Sequence, residues 1–169
     1  WDARSNYFKV HAACAFTHPP IDAVLALVNA NPQLRDIPGD EIESITVDTH
    51  YLAAGLSASN PASRLSAMFS IPYVVAVALR HGQVTPSEHS SERLHRPDIE
   101  GLASRVEVRH EEAMSERVPA DRAARVRITL VDGTVLEHEI DNPIGDSDYA
   151  PLSSGDLRDK GQRLIAPDL

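Results

Sequence analysis

Apolar residues at Ile21, Val24, Leu25 and Val28 fall at i, i+3, i+4 and i+7, the spacing of one helical face, and predict a first helix. Pro19 and Pro20 suit its first turn, where a missing N–H costs little, and Asp22 adds a carboxylate near the positive dipole end. The helix should end near "NANP", because a residue before proline is steered away from the α region. "DEIESITVDTHYL" then alternates, predicting a strand with Ile45, Val47, Thr49 and Tyr51 on one face. After the small-residue loop "AGLSASNPAS", residues 62–81 return to helical spacing at Leu65, Met68, Phe69, Pro72, Ala76 and Leu79. Apolar residues also occupy the other faces of that segment. It therefore reads as a largely buried helix, kinked or broken by Pro72 and closed by Gly82.

"TPSEHSSERLHRPDIEGLASR" gives two short helical turns separated at Pro97, and "RVEVRH" a short strand. "ARVRITLVDGTVLEHEI" is a β-hairpin turning at Asp132–Gly133, with Val126, Ile128 and Leu130 on one face of its first strand. Leu136, His138 and Ile140 form the matching face of the second. Placing Ile128 opposite Leu136 requires a three-residue loop with Gly133 left-handed; a two-residue turn would set Ile128 against Glu137. "PLSSGDLRDKGQRLI" is a final helix, capped by Ser153 or Ser154, with Asp156 in its first turn. This order predicts one α+β domain over residues 1–169, an antiparallel sheet of about four strands with helices packed mainly on one face.

The 169 residues suffice for a core, and no apolar run approaches the roughly 18 residues of a membrane span. A net charge of −9 argues against a nucleic-acid footprint. One cysteine forms no internal disulfide, so a reducing compartment is the simplest inference. The chain opens at Trp1 without Met and stops at "LIAPDL", which reads as a segment of a longer polypeptide.

Charge matters most in the opening stretch. Of 16 basic residues only Lys9 and Lys160 are lysines, and Lys9 shares "FKVHAACAFTHPPIDAV" with the lone Cys14, His11 and His18. A helix entered at Pro20 presents free amides and a positive dipole end, flanked here by an ammonium and an imidazole. Such a group would receive a ligand with several carboxylates, and His18 would serve as acid or base. The alternative is a surface lysine beside a histidine bonded to backbone. Cys14, among small apolar residues, reads as pocket wall rather than nucleophile. Arg64, Ser70 and Tyr73 are polar positions in the second apolar helix; they line the same pocket or serve as caps and backbone partners. The histidines at 50, 81, 89, 95, 110 and 138 show no metal-ligand spacing, "HEEAM" lacks a second histidine, and no nucleotide-binding or hydrolase motif is present.

Together these stretches resemble the MmgE/PrpD family, whose members carry a lysine, then a cysteine or histidine, then "TH-P-IDA"; here these are Lys9, Cys14 and "THPPIDAV". The family's "NP…A-FS-PY-VA-AL" is matched by "NPASRLSAMFSIPYVVAVAL", its hairpin by "VRITLVDG", and its ending by "GDSDYAPLSSGDLRDK". "KVHAAC" departs from the family's "KPYPSC" by losing both prolines. The resemblance implies the C-terminal α+β domain of a two-domain, cofactor-free lyase or isomerase acting on di- and tricarboxylates. The active site would lie against a helical N-terminal domain absent from this chain. It also implies active-site roles for Lys9 and His18 and no metal or cofactor; Cys14, Arg64, Ser70 and Tyr73 stand beside them, from the residue pattern, as substrate-binding candidates.

The expected activity is dehydration of a 2-methylcitrate-like acid by a cytoplasmic homodimer, with this segment inactive alone. Decarboxylase or epimerase chemistry, and a non-catalytic binding or dimerisation module, are the alternatives. Neither nucleic acid nor membrane is an expected partner.

Overall fold

Four strands form a single sheet in the computed structural model, which describes residues 7–165 and so leaves the two chain ends outside the described residues. The strands are β1 (Ile42–Thr49), β2 (Val106–His110), β3 (Ala124–Leu130) and β4 (Val135–Ile140), in the order β2-β1-β3-β4. β3 pairs antiparallel with β1 and β4, but β2 runs parallel to β1. The α+β fold with a four-stranded, mainly antiparallel sheet is as expected, and the parallel β1–β2 pair is the exception that makes the sheet mixed. A parallel neighbour needs a long crossover, and the helical stretch between β1 and β2 supplies it.

Register sorts the side chains by face. Val106, Ile45, Ile128 and Leu136 lie in one row across the sheet, and Glu107, Thr46, Arg127 and Glu137 in the next. The first row is buried except for the half-buried Leu136; in the second Thr46 is buried while the charged side chains reach solvent, where Arg125 pairs with Glu139 and Arg127 with Glu137. Helices cover the apolar face. α1 (His18–Ala30) packs on β3 and β4, and on α4 (Ile71–His81), which lies against β2. The hairpin closes as its pattern requires, with Ile128 opposite Leu136 and Gly133 at φ +86°.

Two local expectations change. Tyr51 leaves the strand and is exposed in a short helix, α2 (Tyr51–Ala54). The second apolar segment splits into α3 (Arg64–Met68) and α4, and the break falls at Phe69 and Ser70 rather than at Pro72. Proline is tolerated in a first turn, so Pro72 starts α4 and the Ser70 hydroxyl caps it by accepting the Tyr73 N–H at 3.0 Å. Gly82 then ends α4 at φ +68°. Between α4 and β2 lie α5 (Ser91–Leu94) and α6 (Pro97–Ala103), and α7 (Glu112–Ser115) follows β2. Finally, α8 (Ser154–Ile165) is capped by Ser153, whose hydroxyl accepts the Asp156 N–H at 3.2 Å; none of its residues is buried.

Candidate functional site

A 3-10 turn at Ala15–Thr17 runs straight into α1 and sets the entry geometry. The Thr17 N–H donates to the Cys14 carbonyl at 3.0 Å, as does the Thr17 hydroxyl at 2.8 Å, and the His18 N–H donates to Ala15. Pro19 and Pro20 have no N–H. The free amides expected at this tip are thus absent: two are bonded and two are abolished by proline, and Thr17 and His18 are fully buried. Asp22 also sits beyond the first turn. Its carboxylate instead lies 2.8 Å from His11 Nε2 and accepts the Ile144 N–H at 2.8 Å, tying the opening segment and the stretch after β4 to α1.

The ring of His18 is the centre of this arrangement. Its Nδ1 is hydrogen-bonded to the Tyr7 hydroxyl, and the His11 ring stands edge-on at 5.0 Å. Nε2 is buried and has no hydrogen-bond partner among the described residues. Burial, then the His11 ring and the charges of Lys9 and Lys160, push the His18 pKa down to about 3, against the opposing pull of the Ala13 carbonyl. The ring is therefore neutral at physiological pH. Lys9 is exposed and its Nζ donates to that same Ala13 carbonyl at 3.2 Å. The structure thus brings Lys9 and His18 together, although backbone amides contribute nothing to the meeting point.

The remaining candidates gather elsewhere. Cys14 is half-buried and free, and its N–H donates to the Met68 carbonyl at 2.9 Å, so it lies beside the α3–α4 break. The Ser70 hydroxyl is spent on its cap and on the Ala58 carbonyl at 2.5 Å. Tyr73 is buried and donates to the Glu88 carbonyl at 2.6 Å; burial, then Glu88, push its pKa up to about 12. Its ring lies 5.7 Å from the buried His89, toward which Arg64 also projects its charge. Arg64 itself is exposed at the start of α3. Two clusters result, Lys9 with His18 and Arg64 with Tyr73, joined by the segment that carries Cys14.

Sequence reasoning did not anticipate Tyr7, the His11–Asp22 pair, or Lys160. Lys160 Nζ donates to the Lys9 carbonyl, which places α8 across the opening segment. The available signal was compositional, since Lys160 is the only lysine besides Lys9. Among the described residues two further histidines are fully buried with no hydrogen-bond partner at either ring nitrogen: His89, and His50, whose ring lies 5.3 Å from Phe16. Burial lowers the pKa of both. A groove of about 550 Å³ opens on the far side of Tyr7, beneath Arg122. Asp121, Asp146 and Asp148 line it, so its charge does not suit a polyanion.

Residues 11–169 match the family described as the MmgE/PrpD C-terminal domain. Among curated proteins, the chain is 24% identical over 159 residues to a cis-aconitate decarboxylase of Aspergillus terreus, covering 89% of this chain and 32% of that protein. It is 29% identical over 171 residues to a cis-aconitate decarboxylase of Mus musculus, covering 94% and 32%. A mitochondrial 2-methylcitrate dehydratase of Yarrowia lipolytica is 35% identical over 80 residues, covering 44% and 15%. The chain thus spans about a third of the length of the decarboxylases it matches.

Proposed function

Given that this chain belongs to the MmgE/PrpD family as its C-terminal domain, we propose that it is the Lys9-bearing part of a lyase acting on a tricarboxylate of the 2-methylcitrate kind. In this reading the full-length protein eliminates water. A base takes a proton from the carbon next to a carboxylate, and the electron pair shifts toward that carboxylate and then forms the C=C bond. The neighbouring C–O bond breaks as an acid protonates the departing hydroxyl to water. The base and acid are His18 or groups from the rest of the protein. Lys9 binds the carboxylate and stabilises the charge as it develops.

His18 enters as a neutral imidazole that orients substrate or moves a proton once the missing part of the protein completes the site. Cys14 supplies wall. Arg64 belongs to a second anion contact beside His89, whereas Ser70 and Tyr73 act by holding α4 in place. The observation that carries the reading is an ammonium that has no carboxylate partner among the described residues, set beside a neutral buried histidine with one nitrogen unbonded among them.

Decarboxylation is the second reading, favoured by the broader likeness to decarboxylases. It breaks a C–C bond to release CO2 and leaves the electron pair on the remaining carbon until a proton from an acid replaces the lost group, and Lys9 would offset that negative charge. Exposed Tyr51, Leu52, Leu65 and Phe69 offer apolar surface for the rest of the protein, and this segment alone is expected to be inactive. No helix among the described residues is long and apolar enough to cross a membrane. We place the full protein in the cytoplasm as a homodimer.

The test is turnover of citrate, 2-methylcitrate, cis-aconitate and iminodisuccinate by the full-length protein and its Lys9→Met variant. One acid should be consumed, and the variant should lose roughly 100-fold or more in kcat with its fold intact. Undiminished turnover in Lys9→Met would refute the role and favour a binding module.

A further inference from the structure

We propose that the two lysines of this chain form one site, with Lys160 on α8 as the second cation that takes a carboxylate of the polyacid held by Lys9. This deepens the proposed function and rests on it for the class of ligand. The two residues are 151 positions apart, yet Lys160 Nζ lies on the Lys9 carbonyl.

The electrostatics are unusual for so acidic a chain. There are 25 acidic residues, and Arg93, Arg96, Arg109, Arg117, Arg122, Arg125 and Arg127 each hold a carboxylate within 4.0 Å. Neither lysine has such a partner among the described residues. Lys160 is half-buried, and burial, then Arg163 and Lys9, lower its pKa, so the ammonium groups stand in each other's field. Gathering like charges uncompensated is unfavourable, and a bound anion relieves it.

A second observation points to the same place. The Nε2 of His18, on a side chain with no exposed surface, is unbonded, and the charges of both lysines reach that ring. Facing it are Tyr7, Lys9 and His11 from the opening segment, Asp22 through His11 on α1, and Lys160 from α8. The helix that carries Lys160 buries no residue, so it is held mainly by surface contacts and is free to adjust around a ligand. An ammonium suits this role because its three donors sit on a flexible stem.

The experiment measures citrate binding to the full-length protein by calorimetry, alongside KM and kcat for whichever acid is turned over. Lys160→Met should weaken citrate binding about ten- to a hundredfold and raise KM more than it lowers kcat, whereas Lys160→Arg should restore most of the affinity. Succinate, with fewer carboxylates, should lose less than citrate. Because α8 buries nothing, the far-UV spectrum and melting temperature should not move. Citrate affinity and KM unchanged in Lys160→Met, while Lys9→Met abolishes turnover, would overturn the cation pair and leave the proposed function standing. Citrate bound in a Lys160-dependent way without turnover of any acid would support the pair and reject the lyase. Absence of both binding and turnover would reject both.

Discussion

Acidification should expose the cost of burying His18. Its pKa lies near 3 in the folded chain and near 6.5 when unfolded. Above pH 6.5 the ring is neutral in both states and contributes no pH dependence. Below it, the unfolded ring takes a proton that the folded ring refuses until about pH 3, so the unfolded state binds more protons and stability falls with pH through that window. Integrating over the drop from pH 7 to pH 5 gives a loss of about 2 kcal/mol from this residue, rising to about 3 kcal/mol by pH 4. His50 and His89 are shifted in the same direction and add to the total, so His18 must be isolated. The assay is urea unfolding of the chain and of His18→Gln across pH 7 to 4. Glutamine cannot titrate, so the variant should lose about 2 kcal/mol less between pH 7 and pH 5, whatever its absolute stability. Parallel curves would refute the argument, since they would mean that the ring is solvated and free to ionise in the folded state.

Two further outcomes test the scaffold around the site. Gly145 has φ +96°, and a Cβ there would press on the Phe8 carbonyl oxygen, so Gly145→Ala should cost about 2 kcal/mol and loosen the segment carrying Tyr7; an unchanged melting temperature would contradict this. Ser70→Ala removes both the α4 cap and the bond to Ala58, and should lower stability by about 1 kcal/mol in urea unfolding; an unshifted midpoint would show that the cap is unimportant.

Local pattern revealed local structure well. α1 ends at Ala30 ahead of Pro32, and the hairpin takes the register that apolar matching demands, because both follow from residues a few positions apart. The parallel pairing of β2 did not show, since strand direction depends on how the chain between β1 and β2 is routed. Proline at positions 19 and 20 was read for the helix it permits and not for the two donors it removes. Lys9 and His18 were legible as a pair because they share one short segment. Tyr7 meets His18 and Lys160 meets Lys9 only through tertiary packing, which periodicity does not encode. The three histidines buried without full bonding are equally invisible to spacing, since a histidine in sequence does not announce its burial.

Among the described residues β4 has a neighbour on only one side, so its outer backbone groups form a border of the sheet. Glu137, His138 and Glu139 are exposed along it. Ionised side chains on such a margin discourage an incoming strand from zippering on, because each new partner would bring like charges together. Such a margin guards against edge-to-edge aggregation while the sheet is forming.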